Sequence, residues 1–104
     1  MKQINIELTT EEKAQVDSAL SEEENKGFKK NFLYRNCIML GNVTIKDIAE
    51  RKHGDIKNIA VLVDDTESKQ LEKEYEPLSE AVDKSVFYAL KFIDGFKKRS
   101  VKNV

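Results

Sequence analysis

The chain has 104 residues, of which 39% are apolar and 36% charged, so it has the length of one domain and is polar for a globular protein. One cysteine excludes an intrachain disulfide, and one cysteine with one histidine argues against a zinc site built from several such ligands. The sequence has no apolar run of membrane length and no secretory leader. We therefore expect a cytoplasmic protein that makes no membrane contact.

The net charge of −1 hides four blocks of alternating sign. Residues 1–25 have a net charge of −5, residues 26–63 of +5, residues 64–83 of −6 and residues 84–104 of +5. The two basic blocks could each meet an anionic partner. Alternatively, basic and acidic blocks neutralise each other within the fold or a dimer.

The first element is a predicted strand, because apolar and polar residues alternate strictly from Lys2 to Leu8. One face has Ile4, Ile6 and Leu8, and the other has Gln3, Asn5 and Glu7. A lone strand is unstable in water, and no second strand follows for about fifty residues. The strand therefore pairs either with its copy in another chain, which implies a dimer, or with a distant strand of its own chain.

Two helices follow in the next thirty or so residues. Thr9 and Glu12 form the capping pattern of a first helix over residues 10–24, and Gly27 is suited to a left-handed cap after it. A second helix is predicted over residues 28–40. Its expected buried face is Phe28, Phe32, Leu33, Cys37 and Leu40, widened by Ile38 and Met39. Such broad apolarity indicates burial between partners, as in a dimer core.

The rest of the chain is predicted to be mainly helical. Thr44 and Asp47 start a third helix, which ends at residues 53–55. The segment 56–63 is ambiguous, because residues 59–63 suit either a short strand or one more helical turn. A long final helix is predicted over residues 66–98, with a break near Glu76 caused by Pro77.

Residues 2–41 resemble the ribbon-helix-helix family of DNA-binding dimers, because they contain a strand, a helix, a glycine-containing turn and a second helix. This family includes Arc-like and MetJ-like repressors, ParR-like partition adaptors and TraM-like conjugation accessory proteins. The resemblance implies a mainly α fold with an intermolecular two-stranded ribbon. It divides the chain into a DNA-binding and dimerisation region at 1–42 and a helical region for assembly or partner docking at 43–104.

The resemblance also implies which residues contact double-stranded DNA. The outward strand residues Gln3, Asn5 and Glu7 would read base edges in the major groove. The start of the second helix would approach the phosphates, through Gly27, Lys29, Lys30 and Asn31. The chain departs from the family in two places. Glu7 stands where the family usually has a basic residue on the strand, and Phe28 lies at the start of the second helix, where the family usually has Ser or Thr.

The final helix has a wide aromatic stripe, formed by Phe87, Tyr88, Phe92 and Phe96. Under the resemblance this stripe would dock a protein partner or join dimers into a higher oligomer. The alternative is a helix packed on its own domain. A separate T-I-K-D-I-A stretch at residues 44–49 resembles the first helix of LacI-type helix-turn-helix domains, but the segment after it lacks a polar reading face.

The expected function is that of a dimeric, sequence-specific DNA-binding protein. It would act in transcription regulation as an autorepressor, or as a plasmid partition adaptor or conjugation accessory factor of a mobile element. The alternative is a small helical inhibitor from a phage or plasmid. That inhibitor would use acidic faces at residues 7–24 and 64–83 to occupy a host nucleic-acid-binding protein. No catalytic, metal or cofactor motif is present, so we expect neither an enzyme nor a cofactor.

Overall fold

A computed structural model describes residues 1–51 and 53–101. The elements are, in chain order, β1 (Lys2–Thr9), α1 (Thr10–Asn25), α2 (Lys30–Leu40), α3 (Ile45–Ala49), β2 (Ile56–Val63), α4 (Asp65–Tyr75), a 3-10 turn (Glu76–Leu78) and α5 (Lys84–Val101). The predicted fold class is confirmed, since the chain is mainly helical, begins with a strand followed by helices and contains a second strand. No helix in these ranges has both the length and the apolarity needed to cross a membrane.

The two strands pair antiparallel within one chain, from Lys2 opposite Val63 to Thr9 opposite Ile56. Of the two pairings that the sequence left open, the structure contains the one with a distant strand of the same chain, and the intermolecular ribbon is not the pairing of β1. The reason is that β2 offers a matching apolar alternation. The buried face of the sheet consists of Ile4, Ile6, Leu8, Ile59, Val61 and Val63. The ambiguous segment 56–63 is therefore a strand.

The predicted helix caps are present. The hydroxyls of Thr9 and Thr44 each accept the backbone N–H three residues later, and Glu12 and Asp47 accept the N–H of the cap residue in return. Gly27 has a φ of 99° after α1. There the N–H of Gly27 donates to Glu24 and that of Phe28 to Glu23, which is the Schellman pattern. The chain is thereby turned sharply between α1 and α2.

The buried face of α2 differs from the predicted one. It consists of Leu33, Tyr34, Cys37 and Ile38, whereas Phe28 and Phe32 are exposed. The helix packs on the sheet and on α5 of the same chain, so its apolar end is covered without a dimer partner. Cys37 is a core residue as expected, and burial raises the pKa of its thiol to about 11.

The predicted long final helix is two helices. The chain leaves helical geometry after Tyr75, at the Pro77 turn, and resumes it at Lys84. The second of these helices, α5, packs against both α2 and β1. One hydrophobic cluster therefore contains residues from both predicted regions, 1–42 and 43–104. The T-I-K-D-I-A stretch forms only the short α3, which is followed by a strand rather than by a recognition helix.

Helices α2 and α5 cross with their backbones in contact. A Cβ atom at Gly41 would lie 1.8 Å from the Lys91 carbonyl oxygen, and one at Gly95 would lie 1.6 Å from the Cys37 carbonyl oxygen. Beside this crossing, the buried Lys91 ammonium donates to the Gly41 carbonyl (2.6 Å) and to the Glu74 carboxylate (3.1 Å). One lysine thus links α5 to α4 and to the end of α2.

Candidate functional site

The side of the sheet that faces away from the core is open to solvent. We call it the outer sheet face, and it consists of Gln3, Asn5, Glu7, Ile56, Asn58, Ala60 and Leu62. The three predicted base-reading residues therefore lie together on one surface, with Gln3 and Asn5 exposed and Glu7 half-buried. The Gln3 side-chain amide donates to Asn5 Oδ1 over 3.2 Å. Ile56 and Leu62 on β2 lie on the same face, which the sequence does not predict because residues 56–63 suit either a strand or a helix.

Asn31, a predicted phosphate contact, is instead bound to the edge of β2. The Leu62 N–H donates to Asn31 Oδ1 (2.8 Å), and Asn31 Nδ2 donates to the Leu62 carbonyl (3.3 Å). The side-chain amide thus pairs with both backbone groups of Leu62, as a neighbouring strand would. This contact fixes the first turn of α2 beside the outer sheet face.

The other predicted phosphate contacts lie where α1 leads into α2. Gly27 belongs to the Schellman turn, Lys29 is the N-cap residue of α2 and Lys30 is its first residue. The cap of α2 has no side-chain hydrogen bond. Both lysine side chains are exposed, so they border the start of the helix without closing it.

Two exposed phenylalanines occupy the centre of this region. The rings of Phe28 and Phe32 are stacked, with centroids 5.8 Å apart and planes 17° apart, and the residues are 49% and 47% exposed. Sequence reasoning placed both rings in the core. Phe28 and Phe32 are spaced like residues on one face of a helix. However, the Schellman turn and the hydrogen bonds of Asn31 orient α2 so that Leu33 and Tyr34 face the core and Phe28 and Phe32 face the solvent.

We define the aromatic patch as Phe28 and Phe32 with the surrounding lysines Lys26, Lys29 and Lys30. Within the described ranges, none of these three lysines forms a salt bridge. Lys30 is close enough to Asp17 to help lower the pKa of that carboxyl, where burial alone would raise it and hydrogen bonds from Lys13 and Tyr34 lower it. The patch is therefore apolar at its centre and cationic at its rim.

The predicted docking stripe on the final helix is part of the core, which corrects the expectation that it is a partner site. Phe87 and Phe92 are 1% and 0% exposed, while Tyr88 and Phe96 are half-buried. Phe92 meets the Tyr34 ring edge to face, and Phe87 packs against Tyr75. The stripe is wide because α5 contacts α2, α4 and the sheet at once. The structure therefore contains the alternative predicted from the sequence, a final helix packed on its own domain.

The charge blocks neutralise each other in part across the fold. Salt bridges join each acidic block to a basic one, through Glu12–Arg51, Glu23–Arg99, Glu67–Arg35, Glu72–Lys84 and Glu74–Lys91. The acidic faces predicted at residues 7–24 and 64–83 thus have several of their carboxylates already occupied. This arrangement weakens the case for those faces as an imitation of nucleic acid.

A cleft of about 730 Å³ lies between the start of α1, α3 and α5. Its buried cation, Arg51, donates to Glu12 (2.5 Å) and to the Glu7 carbonyl (3.1 Å), so its charge is already used. Burial alone would raise the pKa of Glu12, but the hydrogen bonds from Arg51 and Thr9 outweigh burial and lower it. Nowhere in residues 1–51 and 53–101 do three or more His, Cys, Asp or Glu side chains group as metal ligands would.

No protein-family model matches this chain, and comparisons with curated proteins and with solved structures found no match. The surfaces themselves therefore carry the functional argument. Among the described surfaces, the aromatic patch combines two stacked, half-exposed aromatic rings with three lysines that form no salt bridge.

Proposed function

We propose that this protein is a small protein-binding module and that the aromatic patch is its contact surface. The observation that carries this proposal is the stacked Phe28–Phe32 pair, each residue about half exposed. Exposed apolar surface with a polar rim marks interaction sites, and aromatic side chains supply much of the affinity at the centres of protein interfaces. Neither residue belongs to the hydrophobic core cluster.

The chemistry of the patch defines the partner. A complementary surface would present an apolar groove or side chain to Phe28 and Phe32, with carboxylates around it to face the lysines. Electrostatic matching of this kind raises the association rate and excludes basic partners. This function is of the same class as the alternative predicted from the sequence, since both are protein binding. The contact surface differs, because it is the basic and aromatic patch and not the acidic faces.

The test is a selection of binding peptides from a random library against the full chain. We expect selected sequences that combine apolar residues with Asp or Glu. A Phe28→Ser, Phe32→Ser double variant should bind them at least about tenfold more weakly, a loss of about 1.4 kcal/mol. Ile45→Ser is the matched control, because Ile45 is an exposed apolar residue on α3, outside the patch.

Two outcomes would contradict this function. Peptides without acidic residues would show that the lysine rim does not select the partner. Equal binding by wild type and by the double variant, with circular dichroism showing both folded, would place the contact elsewhere.

Charge reversal at Lys29 should weaken binding more as the salt concentration falls, because screening is then weaker.

Sequence-specific binding of double-stranded DNA, as an autorepressor, partition adaptor or accessory factor, is the second candidate. It is favoured by the exposure of Gln3 and Asn5 on a two-stranded antiparallel face, since such a ribbon fits the major groove. Against it stands first the pairing of β1 with β2 of the same chain, because the ribbon that reads DNA in the family pairs across a dimer. The apolar Ile56 and Leu62 on the same face and the engagement of Asn31 by β2 also oppose it.

A DNA selection at low and high salt separates the two candidates. Under DNA binding, Asn5→Ala should cost about 1–3 kcal/mol for the selected site, and Lys30→Ala should weaken binding to all sequences and reduce the salt dependence. Under the protein-binding function, no sequence is enriched. An enriched site that requires Asn5 would make DNA binding the better description.

A further inference from the structure

Both edges of the sheet are closed only at the carboxyl end of their strand, but the open stretch is longer on β2, with three outward residues, than on β1, where it has two, Gln3 and Asn5. Leu62 directs its N–H and carbonyl away from β1, as its bonds to Asn31 show. Because these directions alternate along an antiparallel strand, Ile56, Asn58 and Ala60 also direct their backbone groups outward from β2. By the same register, the outward residues on the opposite edge are those facing them on β1: Gln3, Asn5, Glu7 and Thr9.

The edge of β1 is closed at its carboxyl end. The Glu7 carbonyl accepts from Arg51, and the Thr9 N–H donates to Glu12 (2.9 Å). These side chains occupy the positions that a neighbouring strand would need. Charged side chains laid against a strand edge are a common protection against strand pairing.

The edge of β2 is closed only at its carboxyl end, by Asn31. From Ile56 to Ala60 every residue except Ile59 is exposed. The backbone groups of Ile56, Asn58 and Ala60 that point away from β1 have no hydrogen-bond partner among residues 1–51 and 53–101. Three of the five residues at this edge are apolar (Ile56, Ile59 and Ala60), Asn58 is uncharged, and Lys57 has the single charge. Such an edge is a template for another strand.

We propose that a second copy of this chain pairs antiparallel with the open edge of β2, giving a symmetric dimer with a four-stranded sheet in the order β1-β2-β2-β1. The register is centred on Asn58, which faces Asn58 of the second copy. Ile56 then faces Ala60 of the second copy, and Lys57 faces Ile59. The dimer does not depend on the proposed protein-binding function, although its interface includes two lysines of the aromatic patch, Lys29 and Lys30.

The neighbouring registers are disfavoured by groups already described. Centring the pair on Lys57 would place two ammonium groups directly opposite each other, which destabilises a strand pair. Centring it on Ile59 would place a strand residue, Ile56 of the second copy, opposite Leu62, whose backbone groups Asn31 already occupies. Centring it on Asn58 instead places Gly54, which lies outside β2, opposite Leu62. Centring the pair on Ala60 would place Leu62 opposite Asn58 of the second copy, and Asn31 would again occupy the backbone groups that Leu62 needs for this pairing.

Charge complementarity favours a second copy as the occupant. In the register centred on Asn58, Asp55 of one copy lies opposite Val61 of the other. Val61 adjoins Leu62, where Asn31 holds the first turn of α2 and with it Lys29 and Lys30. The symmetric pairing therefore brings an exposed carboxylate to an exposed basic turn at both ends of the interface.

The test measures the mass of the full chain by size-exclusion chromatography with light scattering over a range of concentrations. We expect wild type to be a dimer and Asn58→Lys to be a monomer, because this change places two ammonium groups opposite each other at the symmetry axis. Asn5→Lys is the matched control, since it puts the same charge on the exposed outer face of β1. It should remain a dimer.

A second pair of variants tests the backbone. Asn58→Pro and Asn5→Pro each remove an N–H that points away from the β1–β2 ladder, and proline is tolerated at such edge positions. We expect Asn58→Pro alone to abolish the dimer. A monomeric wild type at every concentration, a dimer that survives both changes at Asn58, or a dimer that is lost only when Asn5 is changed would each overturn the proposal.

Discussion

The backbone of Gly41 lies directly against the backbone of Gly95 where α2 meets α5. A Cβ atom at Gly41 would be 2.9 Å from the Gly95 nitrogen, and even closer to the Lys91 carbonyl. The obstructing atoms on both sides are main-chain atoms, so a larger residue could be accommodated only if one helix moved. The distance between the two helices is therefore set by the absence of two side chains.

Gly95→Ala should destabilise the fold by about 3 kcal/mol or more, because the added methyl group overlaps the Cys37 carbonyl. Urea unfolding followed by circular dichroism measures the loss. Gly54→Ala is the matched control, since a Cβ atom there meets only the Thr9 side chain, at 3.8 Å. Equal stability of the two variants would show that α2 and α5 do not approach so closely.

The Lys91–Glu74 ion pair should respond unequally to removal of its two partners. Lys91 is 1% exposed, whereas the Glu74 side chain is 29% exposed. Glu74→Ala leaves a buried ammonium without a counter-charge and should cost about 3 kcal/mol, at the low end for a broken buried pair because Glu74 is partly solvated. Lys91→Met leaves the Glu74 carboxylate unpaired, and its Oε2 is already buried without a hydrogen-bond partner among the described residues. The Glu74 side chain is nevertheless 29% exposed and can turn toward water, so the free energy of unfolding should fall less. The reverse order in urea unfolding would contradict this assignment.

Acid should weaken the link between α1 and the loop before β2. The pKa of Glu12 is lowered in the folded state, so this carboxylate stabilises the fold above its ordinary pKa near 4.5, and the contribution is lost as the pH falls through the lower, folded value. The stability difference between wild type and Glu12→Gln should therefore be largest at neutral pH and shrink below about pH 4. Glu11→Gln, at an exposed neighbouring position, should follow the wild-type pH profile. A constant difference for Glu12→Gln would exclude this linkage.

Deleting the residues after Ala81 should abolish cooperative unfolding. The deletion removes Phe87, Ala89 and Phe92 from the core and uncovers one side of α2 and β1. Removing even one buried phenylalanine typically costs about 3–5 kcal/mol, a large part of the stability of a domain of this size. Circular dichroism melting provides the measurement, and a truncated chain with a sharp transition would show that residues 1–81 fold alone.

Local patterns predicted the elements well. The alternation from Lys2 to Leu8, the caps at Thr9 and Thr44, the glycine turn at Gly27 and the break at Pro77 all depend on neighbours in sequence, and the structure confirms each of them. The β-branched run at residues 59–63 left two interpretations open, because short apolar runs fit both strands and helices.

The long-range relations could not be predicted in the same way. The partner of β1 lies about fifty residues away, and nothing in either strand specifies the other except a common alternation. The exposure of Phe28 and Phe32 depends on the Asn31–Leu62 contact, which turns α2 about its axis, and the burial of Phe87 and Phe92 depends on three elements meeting on α5. The aromatic patch could not be predicted from the sequence for this reason. Once the orientation of α2 is known, exposed aromatic residues beside unpaired lysines indicate a binding surface.

The pairing of β1 with β2 also has a consequence for how the protein is made. Ile6 meets Ile59, so β1 has no partner until residues 56–63, about fifty residues later in the chain, have left the ribosome. At typical rates of about 5–20 residues per second, that interval lasts several seconds. During it, α1 and its cap can form from local contacts, but the apolar side of β1 stays uncovered. Chaperones that bind short apolar strands would meet β1 during this interval, and the core is complete only when α5 has followed.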